Sequence, residues 1–392
     1  MTTEWDPIAA WQDVQTDRID SAGAVYEPVL AGCPVLRTEE TFGGFWGVYD
    51  HEHLVRAVMD TRTFSSELPF FGVRRPPLES DPPEHTSYRR MLNRYFRPDE
   101  MARLQTEVRD RAARMLDSLI ARGSADFFAE FTHPFPTRVL CALMRIPDDD
   151  WRLINDWALA VDRRGGRLPP GDPERRALGQ EIQPYLRQLI RTRRADLGED
   201  IVSGMIRGEV QGRPLDDDEI ASLVLLLVSA GHNTTTSGIG NLVLRLARDT
   251  DLQRTLRADP ARIPDAVEES LRIDSPQQAM KRVARVDTEL AGRQIAAGEF
   301  VWLAFGAANV DPAHWDQPAT FDLDRADRRH LAFGRGVHQC VGAPLARLEM
   351  RVVVEELLAR TESFRLDGAV RRPEWPRMGA VTLPLAFTKA TS

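Results

Sequence analysis

The sequence predicts a mainly α-helical protein with small β-sheets, and three observations carry that expectation. Most of the chain alternates apolar and charged residues with a helical period, residues 216–248 sustain that pattern far longer than an ordinary helix, and strand signals are confined to about 33–50 and the C-terminal end.

The first stretch, Asp6 to Leu30, has helical patterning and stops at Gly32-Cys33-Pro34. Val35-Leu36 and Phe45 to Tyr49 flank a turn at Gly43-Gly44 and predict a β-hairpin, followed by a short helix from His51 to Asp60. From Phe64 to Pro83 the composition turns to Pro, Gly, Ser and paired aromatics, an irregular segment long enough to mark a binding loop. Helical spacing returns over Glu84 to Phe96, Glu100 to Ala121, Trp151 to Val161, Pro173 to Ala195 and Ala261 to Arg272. Between two of these, residues 163–171 are rich in Gly and Pro and suit a lid over a cavity. Asp216-Asp217-Asp218-Glu219 opens the long segment with N-terminal capping charge, and as one helix it runs about 50 Å at 1.5 Å per residue. Leu223 to Val228 at its centre is apolar on all sides, so the helix is expected to be buried. With no internal repeat and no low-complexity linker, one domain over residues 1–392 is expected, its β-rich N-terminal part and C-terminal strands packed on a helix-rich body.

Composition narrows the function classes. The 392 residues, 42% hydrophobic and 28% charged, suffice to bury a core around a large cofactor. Cys33, Cys141 and Cys340 lie far apart and form no C-x-x-C pair, which argues against a secreted disulfide framework and for a reducing cytoplasm. Met1 to Gln15 carries Glu4, Asp6 and Asp13 and does not read as a signal peptide. The longest apolar run, Leu223 to Val228, is far short of the about 20 residues a membrane span takes. A net charge of -8 discourages nonspecific nucleic-acid binding. A cytoplasmic protein without membrane or nucleic-acid partners, and a monomer, is expected.

Residues 333–342 read Phe-Gly-Arg-Gly-Val-His-Gln-Cys-Val-Gly, and Ala343 to Arg360 continue at helical spacing. A glycine-rich loop thus delivers Cys340 to a helix N-terminus, where free N–H groups and the macrodipole favour a negative sulfur and lower a thiol pKa. Gly334 and Gly336 permit positive φ, and Gly342 has no side chain to hold a flat ligand away. By itself Cys340 is also compatible with a buried structural cysteine. The ten-residue context resembles the F-x-x-G-x-x-x-C-x-G signature of the cytochrome P450 superfamily, in its bacterial, soluble form with a His two residues before the Cys, here His338. The resemblance implies the P450 fold, with haem b (iron protoporphyrin IX) between the long central helix and the Cys-loop helix. It implies Cys340 as the iron ligand and Phe333, Gly334 and Gly342 as cofactor contacts.

Three further motifs agree with it. Glu269-Ser270-Leu271-Arg272 resembles the family's E-x-x-R pair, and Arg325 resembles the third member of its buried Glu-Arg-Arg network, although in isolation the pair reads as an ordinary surface ion pair. Asp81-Pro82-Pro83-Glu84-His85-Thr86-Ser87-Tyr88-Arg89 is similar to the segment whose His and Arg bind haem propionates, and His85 and Arg89 at i, i+4 share one helix face. A capping pattern at Asp81 also accounts for its first residues. Arg282 and His338 match the family's remaining propionate contacts. Ala230-Gly231-His232-Asn233-Thr234-Thr235-Thr236 resembles the A-G-x-(D/E)-T oxygen-binding motif, which implies an opened helical turn; a locally satisfied Thr kink is the plainer account.

Asn233 stands where the family has Asp or Glu, and an amide cannot exchange a proton as an acid near neutral pH. Of the acid–alcohol pair that relays protons in the resembling enzymes, the sequence keeps the alcohol, Thr234, and lacks the acid. Water, His232 or the substrate could substitute. By resemblance the substrate pocket is lined by Phe70, Phe71, Leu226, Ser229, Ala230, Gln277, Gln278, Ala279 and Met378, and the phenylalanines suit a small hydrophobic or aromatic ligand. Arg74, Arg75 and Arg377 leave room for an acidic one. The sequence shows no flavin or iron–sulfur segment, so the expected electron donors are a ferredoxin and its reductase. Arg90, Arg94, Arg97, Arg335, Arg347 and Arg351 are either a docking patch for an acidic ferredoxin or a scatter of solvated arginines.

The expected function is a monooxygenase using O2 and two electrons to hydroxylate or oxidatively dealkylate a small hydrophobic substrate. A peroxide-driven peroxygenase and a non-catalytic haem-binding sensor are the alternatives.

Overall fold

The long apolar segment forms one unbroken helix, Asp217–Arg248, with a capping box at its start. The Asp216 carboxylate accepts from Glu219 N at 2.8 Å and Glu219 Oε2 accepts from Asp216 N at 3.0 Å, an arrangement whose loss costs about 1 kcal/mol. Leu223, Val224, Leu227 and Val228 on one half, and Leu242, Val243 and Leu246 on the other, are buried in a common core. At roughly 1.5–3 kcal/mol for each fully buried aliphatic side chain, packing rather than helix propensity secures this element. The computed structural model describes residues 5–17, 22–39, 44–68, 74–164 and 172–390.

Pro134–Leu143, Trp151–Arg163, Gln183–Ala195, Ile263–Ile273 and Ala343–Arg360 pack against this helix, and Pro98–Arg122 packs in turn on Ala343–Arg360. A five-stranded sheet runs Val35–Thr38, Phe45–Val48, Phe300–Leu303, Met280–Ala284, Phe64–Ser65 in spatial order, and its first pair is the expected hairpin with Val35 opposite Val48. A three-stranded sheet joins Thr361–Leu366, Pro384–Lys389 and Ser124–Asp126. The architecture is therefore mainly helical with small sheets, as the periodicity predicts.

The N-terminal stretch is broken into Pro7–Ala10, Gln12–Gln15 and Ala22–Leu30 rather than continuous. The segment 173–195 divides at Ile182, because Pro184 has no N–H with which to carry the ladder through. Helix Pro134–Leu143 has no counterpart among the expected elements: its two prolines look like breakers, but both fall in the first turn, where a missing N–H costs nothing. Residues 165–171, which make up most of the expected lid, lie outside the described residues, as do Phe70 and Phe71 of the expected binding loop.

Candidate active site

The loop at Cys340 is held by its own backbone. Gly334 N donates to Leu331 O and Cys340 N to Phe333 O, both at 2.8 Å. Gly334 and Gly336 adopt φ of +66° and +73°, a region that disfavours side chains. Helix Ala343–Arg360 starts immediately afterwards from Gly342, and a Cβ built there would meet only the Cys340 sulfur, at 3.9 Å. The sulfur is reachable from outside, yet protein surrounds it beyond that opening. The thiol pKa is accordingly raised by burial, against downward pulls from Gly342 N–H, Arg89, Ala343 N–H and Arg347. This corrects the expectation of a helix-lowered thiol: desolvation outweighs the helix start, and metal coordination is what deprotonates a thiol so placed.

The Glu-Arg-Arg network is fully formed. Buried Glu269 accepts Arg272 Nε and Nη2 at 2.9 and 2.8 Å, Arg325 Nε at 2.9 Å and Asp322 N at 3.0 Å. Arg272 also donates to the carbonyls of Asn309, Pro318 and Thr320, and Arg325 to those of Asp316, Gln317 and Thr320. Asn309 passes this order on: its Oδ1 accepts Leu331 N at 2.6 Å, directly before the Cys340 loop. These are not surface ion pairs, since all three side chains are buried and each makes several hydrogen bonds.

His85, Arg89, Arg282 and His338 come together from three distant segments. The His85 and His338 rings lie 4.3 Å apart. Both imidazoles have lowered pKa values, to about 4 and about 3, through burial and then the neighbouring arginines. Both ring nitrogens of His85 and Nε2 of His338 are buried without a hydrogen-bond partner. Burial also lowers the Arg282 pKa, to about 10, and neither Arg282 nor Arg89 has a carboxylate partner within 4.0 Å among the described residues. Asp81, the nearest acid, is occupied by Ser65, Ser66 N and Arg285, and its side chain does not cap the following helix. A buried cation, Arg282, a half-buried one, Arg89, and two orphaned imidazoles in one cluster call for anionic acceptors from outside the chain.

The long helix presents one accessible stripe. Ala230 is exposed and Ser229, Asn233 and Thr234 are partly accessible in the middle of an otherwise buried element, with Leu226 one turn earlier. Thr234 Oγ1 donates to Ala230 O at 2.8 Å. The implied opened turn is not present: the helix runs without a break, because the threonine hydroxyl back-bonds to the preceding turn without displacing the ladder. His232 is buried, with Nδ1 2.8 Å from Asn233 Oδ1 and Nε2 3.0 Å from His133 O.

Four of the expected pocket residues are placed differently. Ala279 and Met378 are fully buried in an aromatic core with Trp11, Tyr26, Trp302 and Trp375, on the face of the sheet that packs against the N-terminal helices. Gln278 is also fully buried; its amide donates to Ser275 O at 2.5 Å and lies against Gly306, where any side chain would collide with it. Gln277 folds its amide back on Ala279 O at 2.8 Å. Met280, two residues before Arg282 and so on the same strand face, is half-buried against the opposite core; the period of two from Arg282 is the signal that finds it. Arg74 and Arg75 are paired with Glu84 and Glu79, which removes the two free cations from the acidic-substrate expectation.

A cleft of about 440 Å³ at the far end of the long helix, lined in part by Asn241, Arg245, Asp274 and Phe321, is electrically closed. Arg245, Arg248, Arg262 and Arg372 each face an aspartate there.

A reachable sulfur at a side-chain-free helix start accepts a flat metal complex, and the orphaned cations and imidazoles beside it accept that complex's acid groups. This defines the class as haem-thiolate protein. The family described as Cytochrome P450 matches residues 173–385. Among curated relatives, Cyclomarin C epoxidase CymV of Salinispora arenicola is 34% identical over 82% of this chain and 85% of its own length. Erythromycin C-12 hydroxylase of Saccharopolyspora erythraea is 36% identical over 83% of this chain and 84% of its own length. Among solved structures, CYP108D1 from Novosphingobium aromaticivorans superposes with a TM-score of 0.85 at 30% identity, covering 98% of this chain and 99% of that one. The chain belongs to the cytochrome P450 family. It is a monooxygenase of the bacterial type, and its cofactor is haem b. No helix among the described residues is long and apolar enough to cross a membrane.

Proposed function

We propose that this protein inserts one atom of O2 into a C–H bond of a hydrophobic organic substrate, or dealkylates it oxidatively, with two electrons from a ferredoxin and its reductase. The observation that carries this reading is the pairing of a reachable Cys340 with an accessible Ala230–Thr234 stripe in a helix otherwise buried. Haem b held by Cys340 would supply the oxygen activation, which a thiolate ligand favours.

The chain's residues then have distinct tasks. Cys340 would ligate the iron; Arg89 and Arg282, with His85 and His338 as neutral donors, would hold the propionates; Phe333, Gly334 and Gly342 would leave the ring its space. Leu226 and Ala230 offer an apolar wall to the substrate, and Met280 joins them from the strand. Thr234 holds a proton at Oγ1 and can hand it on by rotating off Ala230 O. Asn233 orients donors but supplies no acid, and His232 has both ring nitrogens engaged, so an ordered water at Thr234 is the proton source.

Arg90 and Arg335 are exposed without a carboxylate partner among the described residues and suit an acidic ferredoxin. Arg347 and Arg351 are committed elsewhere, to Glu268 and to Gln105 with Glu355, so the docking patch is smaller than the sequence suggests. A cytoplasmic, monomeric, single-domain enzyme fits this reading.

A second reading, a larger natural product as substrate, is favoured by the names of the relatives that epoxidise cyclomarin C and hydroxylate erythromycin. Substrate-induced Soret shifts over a panel of small aromatics and macrocycles separate the two. The reaction itself is tested by turnover under isotopically labelled O2 with ferredoxin and reductase. One labelled atom per product supports it; product formed only with added peroxide supports the peroxygenase alternative, and none with either supports the sensor.

A further inference from the structure

Glu269 has a neighbour that motif comparison passes over. Glu268 accepts Arg347 Nε at 2.6 Å on one oxygen and Arg347 Nη2 at 2.7 Å on the other, a fork-to-fork pair. Its Oε2 also meets His330 Nε2 at 3.2 Å, while His330 Nδ1 accepts Ala332 N at 3.2 Å. The Arg347 guanidinium lies over the Phe333 ring, 4.5 Å from its centroid. Phe333 O is the acceptor for Cys340 N. One carboxylate therefore holds the residue three before the loop and the residue seven after its cysteine. Burial pushes the Glu268 pKa up, but Arg347 and His330 outweigh it and hold the group at about 2.

We propose that Glu268 and Arg347 are positioning residues for the haem ligand: a balanced charge pair that presses Phe333 onto the Cys340 loop and sets the electrostatic potential at the sulfur. The proposal rests on Cys340 being that ligand. Arg347 lies over Phe333, whose carbonyl accepts Cys340 N, so a change in the pair's net charge acts on the loop that carries the sulfur. With both members present it is neutral. Without Glu268 a bare cation is left over Phe333; without Arg347 a bare carboxylate is left beside His330. A cation favours the state with one more electron and an anion disfavours it.

The sign of this effect separates it from mere scaffolding. The holoenzyme and its Glu268→Gln, Arg347→Gln, Arg347→Lys and doubly substituted Glu268→Gln/Arg347→Gln forms are titrated with dithionite and mediators at one fixed pH. Glu268→Gln shifts the reduction equilibrium toward the reduced form and Arg347→Gln away from it, each by about tenfold, or about 59 mV for one electron. The double variant and Arg347→Lys return close to wild type, and all forms keep the thiolate signature of the reduced carbon monoxide complex. Shifts of the same sign in both single variants, or none, overturn the proposal and leave the ligand assignment standing. A wild-type protein without the thiolate signature overturns the ligand assignment itself, and the proposal with it. If one single variant is too unstable to purify, the other still has its sign to meet.

Discussion

The two sides of the haem site are built on opposite principles. On the cysteine side, the network behind the loop is bonded several times over: Glu269, Arg272 and Arg325 engage one another and at least six backbone groups, and Glu268 brackets the loop a second time. On the oxygen side a smooth helix offers Ala230, Asn233 and Thr234, the last bonded back to the Ala230 carbonyl of its own helix. The contrast teaches that the ligand's position is over-determined, whereas proton supply and substrate fit are left to a few exchangeable side chains.

The sharpest way to break that contrast is on the rigid side. Glu269→Gln leaves two buried guanidinium groups uncompensated, and about 3–5 kcal/mol of stability is expected to go. Denaturant midpoints and the yield of haem-loaded protein measure it; a variant as stable as wild type would mean the network is ornamental. On the open side, Thr234→Ala is expected to leave stability within about 0.5 kcal/mol while lowering product formation by on the order of 100-fold, the scale of a lost acid–base contribution. Unchanged turnover would remove Thr234 from proton delivery. Asn233→Asp restores the acid beside it and is expected to raise product formed per electron consumed by about threefold, well short of a full acid–base contribution because water already serves in part; no change in coupling would show that water suffices.

The smallest effect expected is in acid. Glu268 has a lowered pKa in the folded chain, about 2, so its share of stability is full above the unfolded value near 4.5 and fades as pH falls toward about 2. Glu268→Gln should therefore flatten the pH dependence of stability in that window by up to one proton's worth of slope, and an unaltered slope would deny the strength of its pairing.

Much of this was legible in the sequence because it depends on local spacing. The Cys340 decapeptide, the i, i+3 pair Glu269 and Arg272, and the i, i+4 pair His85 and Arg89 each bring their own geometry. What spacing does not carry is which face of a strand meets which core. Ala279 and Met378 turn toward the N-terminal aromatic cluster because the five-stranded sheet has a packed layer there, a fact of tertiary assembly. Glu268 was passed over for a similar reason: its partners, His330 and Arg347, are 62 and 79 residues away and share no motif with it. The thiol of Cys340 was misjudged because a helix start is visible in sequence and desolvation is not.

The central claim, that Cys340 as thiolate is the iron ligand, is tested most directly by the carbon monoxide difference spectrum of the reduced holoprotein, beside that of Cys340→Ser. The wild type is predicted to give the strongly red-shifted Soret band of a thiolate-ligated haem, and the variant to lose it. A wild-type band at the position of a histidine-ligated or unligated haem, or a thiolate band that survives in Cys340→Ser, would contradict the account.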